Sequence, residues 1–193
     1  MPGLPDPFLT LSPRLTLRLP KADFADGLYR VLDRNRVSFG EVFPWMSDLT
    51  DVGYAQRFLY DAERYNQGGQ KFILFIFEKD ELIGSVGFTR IDRSDRRGEL
   101  GFWIDSDHAG RGTMTAACHL LLRHGFSLLR LNRIVLQAQT DNLPSRRIAE
   151  KLNFTHEGTL RQHFRLNGQF RDLETYALLR EDYESQSDRY PTA

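Results

Sequence analysis

Gly110-Arg111-Gly112-Thr113 stands between a short apolar run ending at Ile104 and a long helix-spaced apolar run beginning at Met114. Two glycines at a strand-to-helix junction let the backbone curl, so that consecutive N–H groups converge on one point. That point lies at a helix N-terminus, where the macrodipole adds partial positive charge, and its natural guest is a phosphate or pyrophosphate. A Walker loop needs Gly-Lys-Ser/Thr, but Thr113 follows Gly112 directly. A Rossmann fingerprint needs a third glycine where this chain has Thr115. A plain tight turn into the helix fits the same residues.

The surrounding pattern narrows the fold. Arg14–Leu19 alternates polar and apolar residues and predicts a first strand. Residues 22–35 and 51–66 carry helical spacing, the second helix opening at Thr50 or Asp51 and stopping at Gln67-Gly68-Gly69. The aromatic segment Phe43-Pro44-Trp45-Met46 between them predicts a loop. Strands follow at Lys71–Glu78, Leu82–Ile91 and Glu99–Asp105, forming a meander with turns at Lys79-Asp80 and Arg93–Arg97. Met114, Ala117, Cys118, Leu121, Leu122, Gly125, Leu128 and Leu129 recur at helical steps and predict a long amphipathic helix. Arg133–Thr140 reads as a strand, Ser145–Leu152 as a helix and Phe154–Gly158 as a short strand. Asn167-Gly168 signals a hairpin into Phe170–Leu179. The element order predicts an α+β fold, a largely antiparallel sheet flanked by helices, in one domain over residues 1–193 with a polar tail from Glu184 to Ala193.

Composition sets the frame. A chain of 193 residues is long enough for a full hydrophobic core. Lys and Arg number 26, as do Asp and Glu, and this zero balance argues against nucleic acid as a partner. Cys118 is the one cysteine, so no internal disulfide forms and a reducing, cytoplasmic setting is expected. No signal peptide is expected at the N-terminus. The uncharged stretch Phe72–Phe77 is far too short for a bilayer, so no membrane partner is expected. The five histidines make no metal pattern, and no metal is expected; His108 flanks the glycine loop.

A second motif, Asn142-x-x-Ser145-x-Arg147-x-x-Glu150-Lys151-x-Asn153-Phe154, follows about thirty residues after Gly112. With Glu99-Leu-Gly-Phe-Trp-Ile104 and Gly110-Arg-Gly112-Thr-Met-Thr115, it resembles the GNAT N-acetyltransferase superfamily, most closely its ribosomal-protein N-terminal acetyltransferases of the RimJ/RimL type. Arg14–Arg18, Pro44-Trp45, Glu157-Gly158, Leu166–Asp172 and Leu179–Tyr183 extend the resemblance over about residues 12–183. Two positions depart from the family pattern. Asp107 stands three before Gly110, where Gln or Arg is usual. Asn153 replaces a glycine, and Asn is the side chain that best tolerates a left-handed helix cap.

The resemblance implies acetyl-CoA as cosubstrate. Its pyrophosphate would sit on the N–H groups of Gly110, Arg111, Gly112, Thr113 and Met114, and its pantetheine arm beside the strand ending Trp103-Ile104. That strand would splay from Arg133–Thr140, and an N–H near Trp103 or Ile104 would polarise the thioester carbonyl. Asn142, Ser145 and Arg147 complete the implied cofactor contacts. Ser145 is placed near the sulfur, as proton donor to the departing thiolate; Asn142 and Ser145 also read as an N-cap and its partner. Glu99 shares a strand face with Gly101 and Trp103, opposite Leu100, Phe102 and Ile104. It is a candidate general base or water relay, or else an ion-pair partner of Arg90, Arg97 or Arg133; Glu157 is a weaker base candidate. Phe43 and Trp45 either line an acceptor pocket or plug the core.

The acceptor must be a free amine. At pH 7 deprotonation costs about 1 kcal/mol for an α-amine and about 4.6 kcal/mol for a lysine. No carboxylate pair or His–acid dyad stands out to supply the larger amount, which favours a protein N-terminus. A small amine (amino acid, polyamine or antibiotic) is the alternative within the same chemistry, and a non-catalytic CoA-binding module the alternative outside it. A homodimer is compatible with the exposed antiparallel edges.

Overall fold

The computed structural model describes residues 8–185. Its strands are β1 (Leu9–Thr10), β2 (Leu15–Arg18), β3 (Phe72–Glu78), β4 (Glu81–Asp92), β5 (Arg97–Ile104), β6 (Arg133–Gln139), β7 (Thr155–Leu166) and β8 (Gln169–Leu179). They form one sheet in the order β1-β2-β3-β4-β5-β6-β8-β7. Every neighbouring pair is antiparallel except β5 and β6, which run parallel. The helices are α1 (Ala25–Arg34), α2 (Arg36–Gly40), α3 (Val52–Gly68), α4 (Thr113–Ser127), α5 (Leu143–Lys151) and α6 (Arg180–Ser185). A parallel pair needs a crossover connection, and α4 provides it between β5 and β6.

The sheet is covered on both faces, which explains why β3 is apolar at every position from Phe72 to Phe77. On one face, Leu74, Ile76, Val86, Phe88 and Leu100 pack against Ala117, Cys118, Leu121 and Leu122 of α4. On the other, Phe75, Phe77 and Trp103 pack with Leu28, Val31 and Leu32 of α1 and Leu59 of α3. Alternation along β5 therefore sends Leu100 to the α4 core and Trp103 to the opposite one, as the sequence predicts. The α3 boundaries also follow from chemistry legible in the chain. Asp51 accepts a hydrogen bond from the Tyr54 N–H at 3.1 Å, and Gly69 ends the helix at φ 68°.

The structure adds and corrects elements. Ala22–Phe24 and Pro44–Asp48 are 3-10 turns rather than helix and loop, and α1 is followed by a separate short helix, α2. β7 runs twelve residues to Leu166, not the five expected. Register shifts between His156 and Gly158 and between Leu160 and Phe164 break its alternation, and most of its residues are exposed on both faces. Neither condition leaves a period-two signal in the sequence. Glu184 and Ser185 close α6 rather than beginning a tail; residues 186–193 of that predicted tail lie outside the described residues.

Candidate active site

β5 and β6 pair only from Arg97↔Arg133 to Leu100↔Leu136. Beyond that, β5 stays on β4 as far as Ile104, while β6 stays on β8 as far as Gln139. Each strand follows its outer neighbour, and the sheet opens between them. The resulting cleft holds about 230 Å³. Glu99, Gly101 and Phe102 line it from β5, Gln137 and Gln139 from β6, and Asn142 and Ser145 from the head of α5; Val42, Phe43, Phe164 and Leu173 supply apolar walls.

Backbone groups of β5 face this opening. The Asp105 N–H donates to Ile83 O at 2.8 Å, on the β4 side, while Arg96 O accepts from the Asn132 N–H at the start of β6. N–H and C=O directions alternate along a strand, so the Trp103 N–H is directed at β4, and those of Phe102 and Ile104 at the split. Of the Trp103 and Ile104 N–H groups, that of Ile104 is the one directed at the split. Trp103 itself is buried in the α1–α3 core, its ring 5.6 Å from Phe39.

At the α5 head, the Asn142 side chain accepts from the Ser145 N–H at 3.2 Å, and Pro144 occupies the first turn, where a missing N–H costs nothing. The cap orients the Ser145 side chain at the cleft without consuming its hydroxyl. Next along the helix, Arg146 donates to Thr140 O at 2.7 Å and to the Tyr176 hydroxyl at 3.2 Å, tying α5 to the sheet.

The glycine loop adopts the predicted curl: Gly110 has φ 76° and Gly112, the N-cap of α4, has φ 82°. A Cβ at either position would meet nothing within 4 Å, so backbone conformation rather than space requires glycine. Among the described residues no hydrogen bond engages the N–H groups of Gly110 through Met114. Five such donors at the end of a fifteen-residue helix fit a pyrophosphate. The Thr113 and Met114 side chains are buried, which leaves only their backbone to contribute. Arg111 donates to Asp107 O at 2.6 Å, and Asp107 is exposed, so this unusual acid borders the loop from the solvent side.

The loop is anchored by a residue the sequence does not advertise. Asp105, 1% exposed, accepts from the Asn35 amide at 2.8 Å and also pairs with Arg34 and with His108 at 2.9 Å. Burial alone would raise its pKa; the Asn35, Arg34 and His108 hydrogen bonds outweigh that and hold it below the usual carboxylate range. His108 also approaches Glu78 at 3.3 Å, so it belongs to this anchor rather than to the glycine loop. Asp105 is invisible as a motif because two of its three partners, Arg34 and Asn35, lie about seventy residues earlier.

Other expectations resolve in the same way. Glu99 is half-buried and lines the cleft, with no ion pair among the described residues. Arg133, one of its candidate partners, is taken by Glu157, whose carboxyl is held low by that guanidinium. Glu157 is thereby spent. Phe43 lines the cleft, while Trp45 stacks on Phe43 at 5.2 Å and lies 5.9 Å from Phe58. Arg147 is exposed on α5 and does not line the cleft. Gln139, unremarked in the sequence, donates to Glu41 O at 3.2 Å and Val42 O at 3.1 Å and clamps the loop before Phe43 over the opening. No group of described residues has the composition of a metal site.

Known proteins share this arrangement. The model of the acetyltransferase (GNAT) domain matches residues 14–155. The chain is 33% identical to N-acetyltransferase p20 of Bacillus licheniformis over 174 residues, covering 88% of this chain and 95% of that protein. It is 27% identical to the ribosomal-protein-serine acetyltransferase of Escherichia coli K12 over 169 residues, covering 88% and 94%. The structure of the microcin C7 self-immunity acetyltransferase MccE, in complex with acetyl-CoA and AMP, superposes with a TM-score of 0.86 at 26% identity, over 91% of this chain and 98% of that one. The split strands, the glycine loop and these matches together place the chain in the GNAT acetyltransferase family.

Proposed function

We propose that the protein transfers the acetyl group of acetyl-CoA directly to a primary amine, and that this amine is the α-amine of a protein N-terminus. The observation that carries the acceptor is the acid content of the cleft: Glu99 is the one carboxylate among its lining residues. Removing a proton from an α-amine, with pKa near 7.8, asks about 3.5 kcal/mol less of that single acid than removing one from a lysine. The E. coli relative is named for acting on a ribosomal protein, which supports the same reading.

Acetyl-CoA supplies the acetyl group as a thioester. The N–H groups from Gly110 to Met114 hold the pyrophosphate, and the free edge of β5 holds the pantetheine arm as an added strand. The Ile104 N–H, directed at the split, donates to the thioester oxygen as charge builds there. The amine nitrogen bonds to the acetyl carbon, the carbon–sulfur bond breaks, and the Ser145 hydroxyl gives its proton to the sulfur and regains one from solvent, to which Glu99 in turn releases the proton of the amine. Glu99 takes the proton lost by the amine, directly or through one water.

The test follows thiol release from acetyl-CoA with peptides bearing Ser, Ala or Met N-termini against polyamines, amino acids and aminoglycosides. Turnover on peptides is the expected result. Turnover confined to small amines overturns the acceptor assignment, and none on any amine overturns the enzyme assignment in favour of a CoA-binding module.

A further inference from the structure

The wall of the cleft formed by the β7–β8 hairpin carries a cation whose chemistry the transfer reaction leaves unused. Arg171 pairs across the hairpin with Phe164 and stands two residues before Leu173 on the same strand face. Phe164 and Leu173 both line the cleft, so Arg171 continues that surface about 7 Å past its edge. Its Nε is enclosed and has no hydrogen-bond partner among the described residues. Among the described residues no acid pairs with it. Asp172 points to the other face and accepts from the Gln162 N–H at 2.7 Å. Glu174, also on that other face, is engaged by His156 and by Thr159 at 3.0 Å. An enclosed donor without a partner is costly.

The wall is also held in place. Asn167, at the hairpin tip, donates to Gly40 O at 3.1 Å, and the loop that follows Gly40 is clamped by Gln139. Arg171 is therefore presented at a fixed distance from the site of transfer, the condition under which a polar contact gives selectivity rather than only affinity.

Resting on the α-amine reading above, we infer that Arg171 determines acceptor specificity by pairing with a carboxylate carried within the first four residues of the acceptor chain. At about 3.3 Å per extended residue, an acid at the second to fourth position spans the interval from the cleft to Arg171. The planar guanidinium of Arg171 suits a carboxylate in charge and shape. The same charge disfavours a polyamine, whose second ammonium would face it.

The experiment compares otherwise identical peptides with Glu, Gln or Lys at position three, followed by thiol release with the full chain. The Glu peptide is expected to be preferred over the Gln peptide by about tenfold in kcat/KM, the effect of one charge-assisted contact. Arg171→Ala should bring that ratio close to one, Arg171→Lys should keep part of it, and Arg171→Glu should invert it toward the Lys peptide. An inversion is not produced by a damaged fold. A Glu-to-Gln ratio that Arg171→Ala and Arg171→Glu leave unchanged overturns the inference while sparing the N-terminal reading. Turnover of spermidine with no peptide turned over overturns both.

Discussion

Ser145 and Gly112 illustrate how one side chain, or the lack of one, can be separated from the fold around it. The α5 cap uses the Ser145 backbone N–H, not its hydroxyl, so Ser145→Ala keeps the cap and removes only the proton donor. Turnover should fall about a hundredfold with acetyl-CoA affinity nearly unchanged; equal losses in both, measured by titration calorimetry and steady-state kinetics, would mean that Ser145 serves binding alone. At Gly112 a β-branched side chain must adopt φ 82°, a conformation that costs it about 1–2 kcal/mol or more, so the backbone will rotate out of the nest. Gly112→Val should weaken acetyl-CoA binding at least tenfold, roughly the worth of one lost charge-assisted donor. Undiminished affinity would sink the phosphate assignment. These residues were readable in the chain because each sits in a local motif, whereas Asp105 and Gln139 act through partners about seventy and a hundred positions away.

Among the elements, α4 shows a conflict between propensity and packing. Gly125 lies inside the helix, where alanine would be favoured by about 1 kcal/mol. Yet a Cβ there would stand 2.6 Å from Phe88 Cζ and 3.1 Å from Ile134 Cδ1. The Phe88 ring cannot withdraw, because it is fully buried and Gly98 of β5 hugs its other side, where a Cβ would meet Phe88 Cδ1 at 3.1 Å. Overpacking of about 1–3 kcal/mol should win, and Gly125→Ala should lower the melting temperature by several degrees. A rise in melting temperature would show that helix propensity governs. The helical periodicity of α4 is plain in the sequence, but the glycine that lets it lie on the sheet is legible only once Phe88 is seen opposite. β7 is the reverse case: two register shifts and exposure on both faces erase its pattern, and only its hairpin turn, Asn167-Gly168, could be read.

For the molecule as a whole, stability responds to pH in two separate ranges. His124 stacks on Phe72 at 4.5 Å in the α4 core, and burial holds its pKa below the ordinary 6.5. The folded state thus binds fewer protons than the unfolded one, so stability is complete above about pH 7 and declines as pH falls through the unfolded value. Asp105 and Glu174 are held low by their hydrogen bonds, His156 first for Glu174, and the stability they confer is lost at lower pH, from about 4 downward. Melting curves from pH 8 to pH 3 should therefore show two declines, and the double variant His119→Leu/His124→Leu should flatten the upper one, since burial and then Arg123 hold His119 low as well. An upper limb that persists in that variant would place its origin elsewhere.

The chain alone specified what depends on neighbours in sequence: helix caps at Asp51 and Asn142, the left-handed glycines, the antiparallel meander and the strand-to-helix nest. These are set by backbone sterics and by hydrogen bonds spanning a few residues. The tertiary structure decided what depends on distant partners. It put Glu99 in an open cleft and gave Arg133 to Glu157, it hung the glycine loop from Asp105, and it left Arg171 without an acid partner among the described residues beside the cleft wall. The reason is geometric. Where β5 and β6 separate is set by the neighbours each strand keeps on its far side, β4 and β8, and those pairings carry no signal within the strands that part.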